Sequence, residues 1–107
     1  MIVAFSLAPS GGRSANDDAS VHDAVAAAVR VVRASGLPNR TSSMFTEIEG
    51  EWDAVMAVVK DATEAVLPFG TRVSLVLKAD IRPGRTGELE GKIERLDSAL
   101  RALGADD

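Results

Sequence analysis

Residues 72–82 alternate strictly: Val73, Leu75, Leu77, Ala79 and Ile81 share one parity, and Ser74, Val76, Lys78, Asp80 and Arg82 share the other. Successive side chains of a strand point to opposite faces, so this segment demands a sheet with one face in a core and a different second face. The same period opens the chain. Val3, Phe5 and Leu7 are the larger residues of segment 2–8, and Ala4, Ser6 and Ala8 between them are small. Segment 39–50 reads as two short strands joined tightly near Ser43 and Met44. The second of these holds Met44, Phe45, Thr46, Glu47, Ile48 and Glu49, and Gly50 closes it.

Between the strands the period changes to that of a helix. Val21, Val25, Ala28, Val29 and Val32 fall on one face of a helix over about 20–35. Ser20 is placed to cap it, Asp23 follows three residues on, and Gly36 and Pro38 end it. A second helix, over about 51–67, has Trp52, Val55, Met56, Val59, Ala62 and Val66 as its apolar stripe. Glu51 and Asp53 lie in its first turn, where the helix dipole favours anions, and Pro68 and Gly70 stop it. Pro83-Gly84 turns the chain, and Thr86 can cap a third helix ending near Leu103. Leu89, Ile93, Leu96, Leu100 and Leu103 follow at spacings of four, three, four and three. That is a narrow seam, suited to one partner surface.

The element order is βαββαβ plus a C-terminal helix. Two right-handed split βαβ units predict an α+β, ferredoxin-like sandwich as a single domain over 1–107. Its four-stranded antiparallel sheet has the order 4-1-3-2, with the first two helices on one face.

Composition excludes several function classes. There is no cysteine, hence no disulfide framework or thiolate chemistry. Net charge is −4 with Lys and Arg spread along the chain, which gives no basic stripe for nucleic acid. The opening apolar run lacks a positive leader and is too short to span a membrane, so a cytoplasmic location is expected, with no membrane partner. In that compartment the glycosylation sequon Asn39-Arg40-Thr41 is empty. Loop 9–19 contains Gly11-Gly12 but not the Lys-Ser/Thr of a phosphate-binding loop. His22, the one histidine, falls on the surface of the first helix. One histidine without cysteine makes no zinc site.

The sheet face without helices carries the functional information. By parity it presents Ala4, Ser6 and Ala8 from the first strand, Phe45, Glu47 and Glu49 from the third, and Ser74, Val76, Lys78 and Asp80 from the fourth. The third and fourth strands lie two strand spacings apart, about 10 Å, so small residues floor a shallow trough with polar walls. A bulge near Met44 would exchange Thr46 for Glu47 on the wall. Alternating charges can simply keep an edge strand soluble. An uncovered face with Phe45 and Val76 on it also suits a second subunit. Its charges would then be buried, and pairing or a ligand would have to satisfy them. Glu47 and Glu49, about 7 Å apart along one strand face, suit acid–base work or a cationic group equally.

Two segments, Ser42-Ser43-Met44-Phe45-Thr46-Glu47-Ile48-Glu49-Gly50 and Val76-Leu77-Lys78-Ala79-Asp80-Ile81-Arg82, follow an opening strand that ends in Ala8-Pro9. Together they resemble the YkoF-like thiamine-binding family. The resemblance implies a ferredoxin-like protomer and association through sheet faces into dimers or tetramers. It also implies binding of thiamine or its hydroxymethylpyrimidine part near those interfaces, without catalysis and with no further cofactor. The positions that carry it are Ser42, Met44, Thr46, Glu49, Lys78 and Asp80; Phe45 and Glu47 enter from parity. A carboxylate of Glu47 or Glu49 would accept from the ligand's amino group or balance its thiazolium. Thr46 or Ser43 would bond a ring nitrogen, and Phe45 would stack on a ring. Lys78 would pair with Asp80 or another carboxylate, or meet a phosphate. The alternative is a regulatory or scaffold homo-oligomer without a metabolite.

Overall fold

The computed structural model describes residues 1–11, 18–84 and 86–104, with side chains described from residue 21 in the first helix. Its elements are β1 (Ile2–Ser10), α1 (Asp18–Ala34), β2 (Asn39–Thr41), β3 (Thr46–Glu49), α2 (Trp52–Val66), β4 (Arg72–Asp80) and α3 (Glu88–Ala102). A 3-10 turn, Leu67–Phe69, follows α2. The four strands form one antiparallel sheet in the order β2-β3-β1-β4, the order expected from two split βαβ units.

Register confirms the parity of the strands. Val3 lies opposite Ile48 and Ala79, and Phe5 lies opposite Thr46 and Leu77. Val3, Phe5 and Ile48 enter a core with Ala24, Ala28 and Val32 of α1 and Val55, Val58, Val59, Ala62 and Val66 of α2. Both helices therefore cover one face. On the other face Ile2 is flanked by Glu49 and Asp80, and Ala4 is flanked by Glu47 and Lys78. The pairing needs no bulge at Met44, and Thr46 stays on the helix-covered side.

Several boundaries differ from the sequence reading. β1 continues through Pro9 to Ser10, because β4 pairs with it along its whole length. Beyond Phe5 it has no β3 partner, and a proline is tolerated where a strand has one free side. Met44 and Phe45 lie outside β3, in the turn that precedes it. α1 begins at Asp18, so Ser20 is inside the helix and not its cap; most of loop 11–17 lies outside the described residues. The buried stripe of α1 runs through Ala24, Ala28 and Val32, leaving Val21 and Val25 exposed. In α2, Val58 is buried while Trp52 is 55% exposed, because Trp52 is the first helical residue and sits at the sheet's end.

α3 departs furthest from expectation. Gly87, in the left-handed region at φ 68°, takes the cap position in place of Thr86. Of its seam only Leu89 is buried; Ile93, Leu96, Leu100 and Leu103 are exposed. A narrow apolar stripe shows that a surface is wanted, but not whether the same chain supplies it. Among the described residues, no helix is long and apolar enough to cross a membrane.

Ile48, fully buried between the sheet and both helices, tests this core. Ile48→Ala is expected to lower the free energy of unfolding by about 2–5 kcal/mol, measured by urea denaturation. A loss below about 1 kcal/mol would contradict the packing.

Candidate functional site

The nine residues singled out from sequence do not form one site. They divide into three places.

Ser42, Ser43, Met44, Phe45 and Thr46 gather around a pocket of about 110 Å³. It lies where β3 separates from β1, walled by Phe5, Ser6 and Leu7 of β1 and by Val25, Ala28 and Val29 of α1. Phe45 therefore joins this pocket beside α1 and is not part of the helix-free face. The reason is local: the chain turns at 42–45 before entering β3. Ser42 holds that turn. Its backbone N–H donates to the Phe45 carbonyl at 2.9 Å, and its Oγ accepts from the N–H groups of Met44 (3.3 Å) and Phe45 (3.2 Å). The hydroxyl also donates to the Phe45 carbonyl at 3.1 Å. Its bonding is thus spent on the loop, whereas Ser43 stays exposed beside the pocket. Met44 is 74% exposed at the pocket's edge.

The lining is apolar with hydroxyls from Thr41, Ser42, Ser43 and Thr46, and among the described residues it contains no ionisable side chain. A cavity of about 150 Å³ admits a benzene ring, so a partly open pocket of this size suits one six-membered ring. Hydroxyls both donate and accept, which matches a heteroaromatic ring carrying both kinds of group.

Glu47 and Lys78 form the second place. Both flank Ala4 on the sheet face opposite α1 and α2, beyond the end that α3 covers, and Val76, half-exposed opposite Ser6, continues that face. These two stand on the face where parity placed them, whereas of the other wall residues expected beside them Phe45 joins the pocket and Glu49 and Asp80 lie under α3.

Glu49 and Asp80 form the third place, under α3. Glu49 is only 6% exposed. Its Oε2 accepts from the Glu88 N–H at 2.7 Å, and its Oε1 accepts from the Leu89 N–H at 3.2 Å. Asp80 accepts from Lys92 Nζ and lies 3.7 Å from Arg82 Nε. Asp80 is held by Lys92, which reaches it from α3, and not by Lys78. Sequence reasoning missed Lys92 and the α1 residues Val25 and Val29 as pocket wall. The valines were legible only as an apolar stripe. His22 is exposed on α1, as read from the sequence. No cluster of three or more His, Cys, Asp or Glu able to hold a metal occurs among the described residues.

The sequence profile of the family described as "thiamine-binding protein" matches residues 3–97. The chain belongs to that family. A UPF0045 protein of Mycobacterium bovis is 46% identical over 101 residues, which are 94% of either chain. A hypothetical protein of Methanocaldococcus jannaschii has the same fold at a TM-score of 0.71, with 30% identity over 97% of this chain and 95% of that one. A Thermotoga maritima protein, whose name proposes a role in thiamine biosynthesis or salvage, shares the fold at a TM-score of 0.74. It is 22% identical, over 89% of this chain and 96% of that one. Membership in the thiamine-binding protein family supports a small-molecule-binding role, and the family's description names no reaction.

Ser42 is where this pocket is most exposed to test. Ser42→Ala removes the hydroxyl that closes the 42–45 turn. It is expected to cost about 1 kcal/mol and to lower Tm by about 4–8 °C in a thermal melt. An unchanged Tm would show that the turn holds without it.

Proposed function

We propose that the chain binds thiamine or its hydroxymethylpyrimidine moiety, with the pyrimidine ring in the pocket between the 42–45 turn, β1 and α1. The observation that carries this reading is a ring-sized apolar pocket rimmed by hydroxyls, built from the 42–46 segment in a member of the thiamine-binding protein family. Phe45 offers a ring face for stacking, and Ser43 and Thr46 offer hydroxyls for the ring nitrogens and the amino group.

The pocket volume fits one ring, whereas thiamine has two. The thiazolium therefore projects outward, where a second copy meeting this chain through the sheet face would cover it. The role is binding without turnover. General acid–base or nucleophilic chemistry needs a titratable or nucleophilic group beside the reacting atom, and serine hydroxyls require an adjacent base. Among the described residues the pocket lining offers no such base.

The exposed leucines of α3 favour a second reading, a regulatory or scaffold homo-oligomer that takes no metabolite. Calorimetric titration and thermal shift separate the two. A ligand bound only by the native state stabilises it by about 2.7 kcal/mol at a concentration 100-fold above Kd, a rise in Tm of roughly 10 °C or more. Thiamine or hydroxymethylpyrimidine is expected to give both heat and this rise, and Phe45→Ala is expected to weaken binding about three- to tenfold. Absence of heat and of any shift with both compounds at millimolar concentration would leave the scaffold reading.

A further inference from the structure

α3 begins without a cap of its own. Its cap residue is Gly87, which has no side chain to satisfy the first N–H groups of the helix. The missing acceptors come from the sheet: both oxygens of Glu49, 39 and 40 residues earlier in the chain, accept from Glu88 and Leu89. A carboxylate this deeply buried is tolerated only where hydrogen bonds and opposing charge compensate it, and a helix N-terminus supplies both. A second clamp lies across the sheet. Asp80, which like Glu49 sits opposite Ile2, holds Lys92 one turn further along α3. Ile2 and Leu89 are both buried at this end. The space left among Met1, Ile2, Glu49, Asp80, Arg82 and Glu88 is about 10 Å³. That is room for at most one water, and for no ring.

We propose that Glu49 is a positioning residue: its carboxylate caps α3 from the sheet and is thereby withheld from ligands. The resemblance placed Glu49 among ligand contacts. In this chain its hydrogen-bonding capacity is directed at the helix that covers it, and ligand recognition falls to the 42–46 pocket. Glu49 thus fixes where α3 leaves the sheet and the direction in which its exposed leucines face.

Amide hydrogen exchange on the full chain tests the capping, read beside thiamine titration. In Glu49→Ala the amides of Glu88, Leu89 and the following turn are expected to exchange about tenfold faster, while those of β1 and β4 keep their protection. Glu49→Gln retains one carbonyl acceptor and should fall between wild type and Glu49→Ala. Its thiamine affinity should stay within about twofold of wild type. If Glu49→Ala does not fold, Glu49→Gln carries both measurements. Wild-type exchange at Glu88 and Leu89 in the folded variants would overturn the capping role. A more than tenfold loss of thiamine affinity in Glu49→Gln, with α3 exchange unchanged, would make Glu49 a ligand contact. The titration arm rests on the proposed function, and the exchange arm does not. Failure of wild type to take thiamine would count against the function alone.

Discussion

The unequal pairing of β1 governs this structure. Nine of its residues pair with β4, from Ile2 to Ser10, but only Ile2–Phe5 pair with β3. Where β3 is missing, alternate main-chain groups of β1 lose a strand neighbour, and the chain entering β3 must turn aside. The 42–45 turn and α1 stand around that gap. A fully paired strand would have closed it with ladder bonds. The same short β3 places Glu49 at its far end, close to the start of α3.

The backbone hydrogen-bonding need of a helix end explains the acidic end of the sheet. Four N–H groups at a helix start lack partners within the helix. A serine or aspartate next to the helix usually serves; here Gly87 adopts a left-handed conformation that a residue with a side chain rarely takes, and a strand carboxylate serves instead. A long-range cap ties the helix to the sheet as a local one does not. The Glu88–Arg95 contact, 2.6 Å between Oε2 and Nη2, adds a charge pair along the helix itself. The more exposed Arg40–Glu90 pair, at 3.8 Å, contributes little.

In the proposed binding mode, charge and ring recognition are separated in space. The pocket beside α1 has hydroxyls and apolar walls, and the sheet face opposite α1 and α2 holds Glu47 and Lys78 around Ala4. A flat, largely neutral ring gains most from the first environment. A permanent cation gains most from a solvated carboxylate in the second, where its desolvation cost is small. Two such surfaces on one small domain suit a ligand with two chemically different halves.

Element order and strand parity, and with them the face taken by residues inside the strands, were readable from the chain alone. These follow from local periodicity and from the handedness of βαβ connections, which need no knowledge of distant contacts. That is why Val3, Phe5 and Ile48 were legible as core and Glu47 and Lys78 as walls of the open face. The assembled fold was needed to show that Phe45 turns toward α1, that Glu49 caps α3, and that Lys92 claims Asp80. Each of these depends on where one element ends in relation to another far along the chain. A carboxylate on a strand has the same sequence signature whether a ligand, a lysine or a helix end comes to meet it.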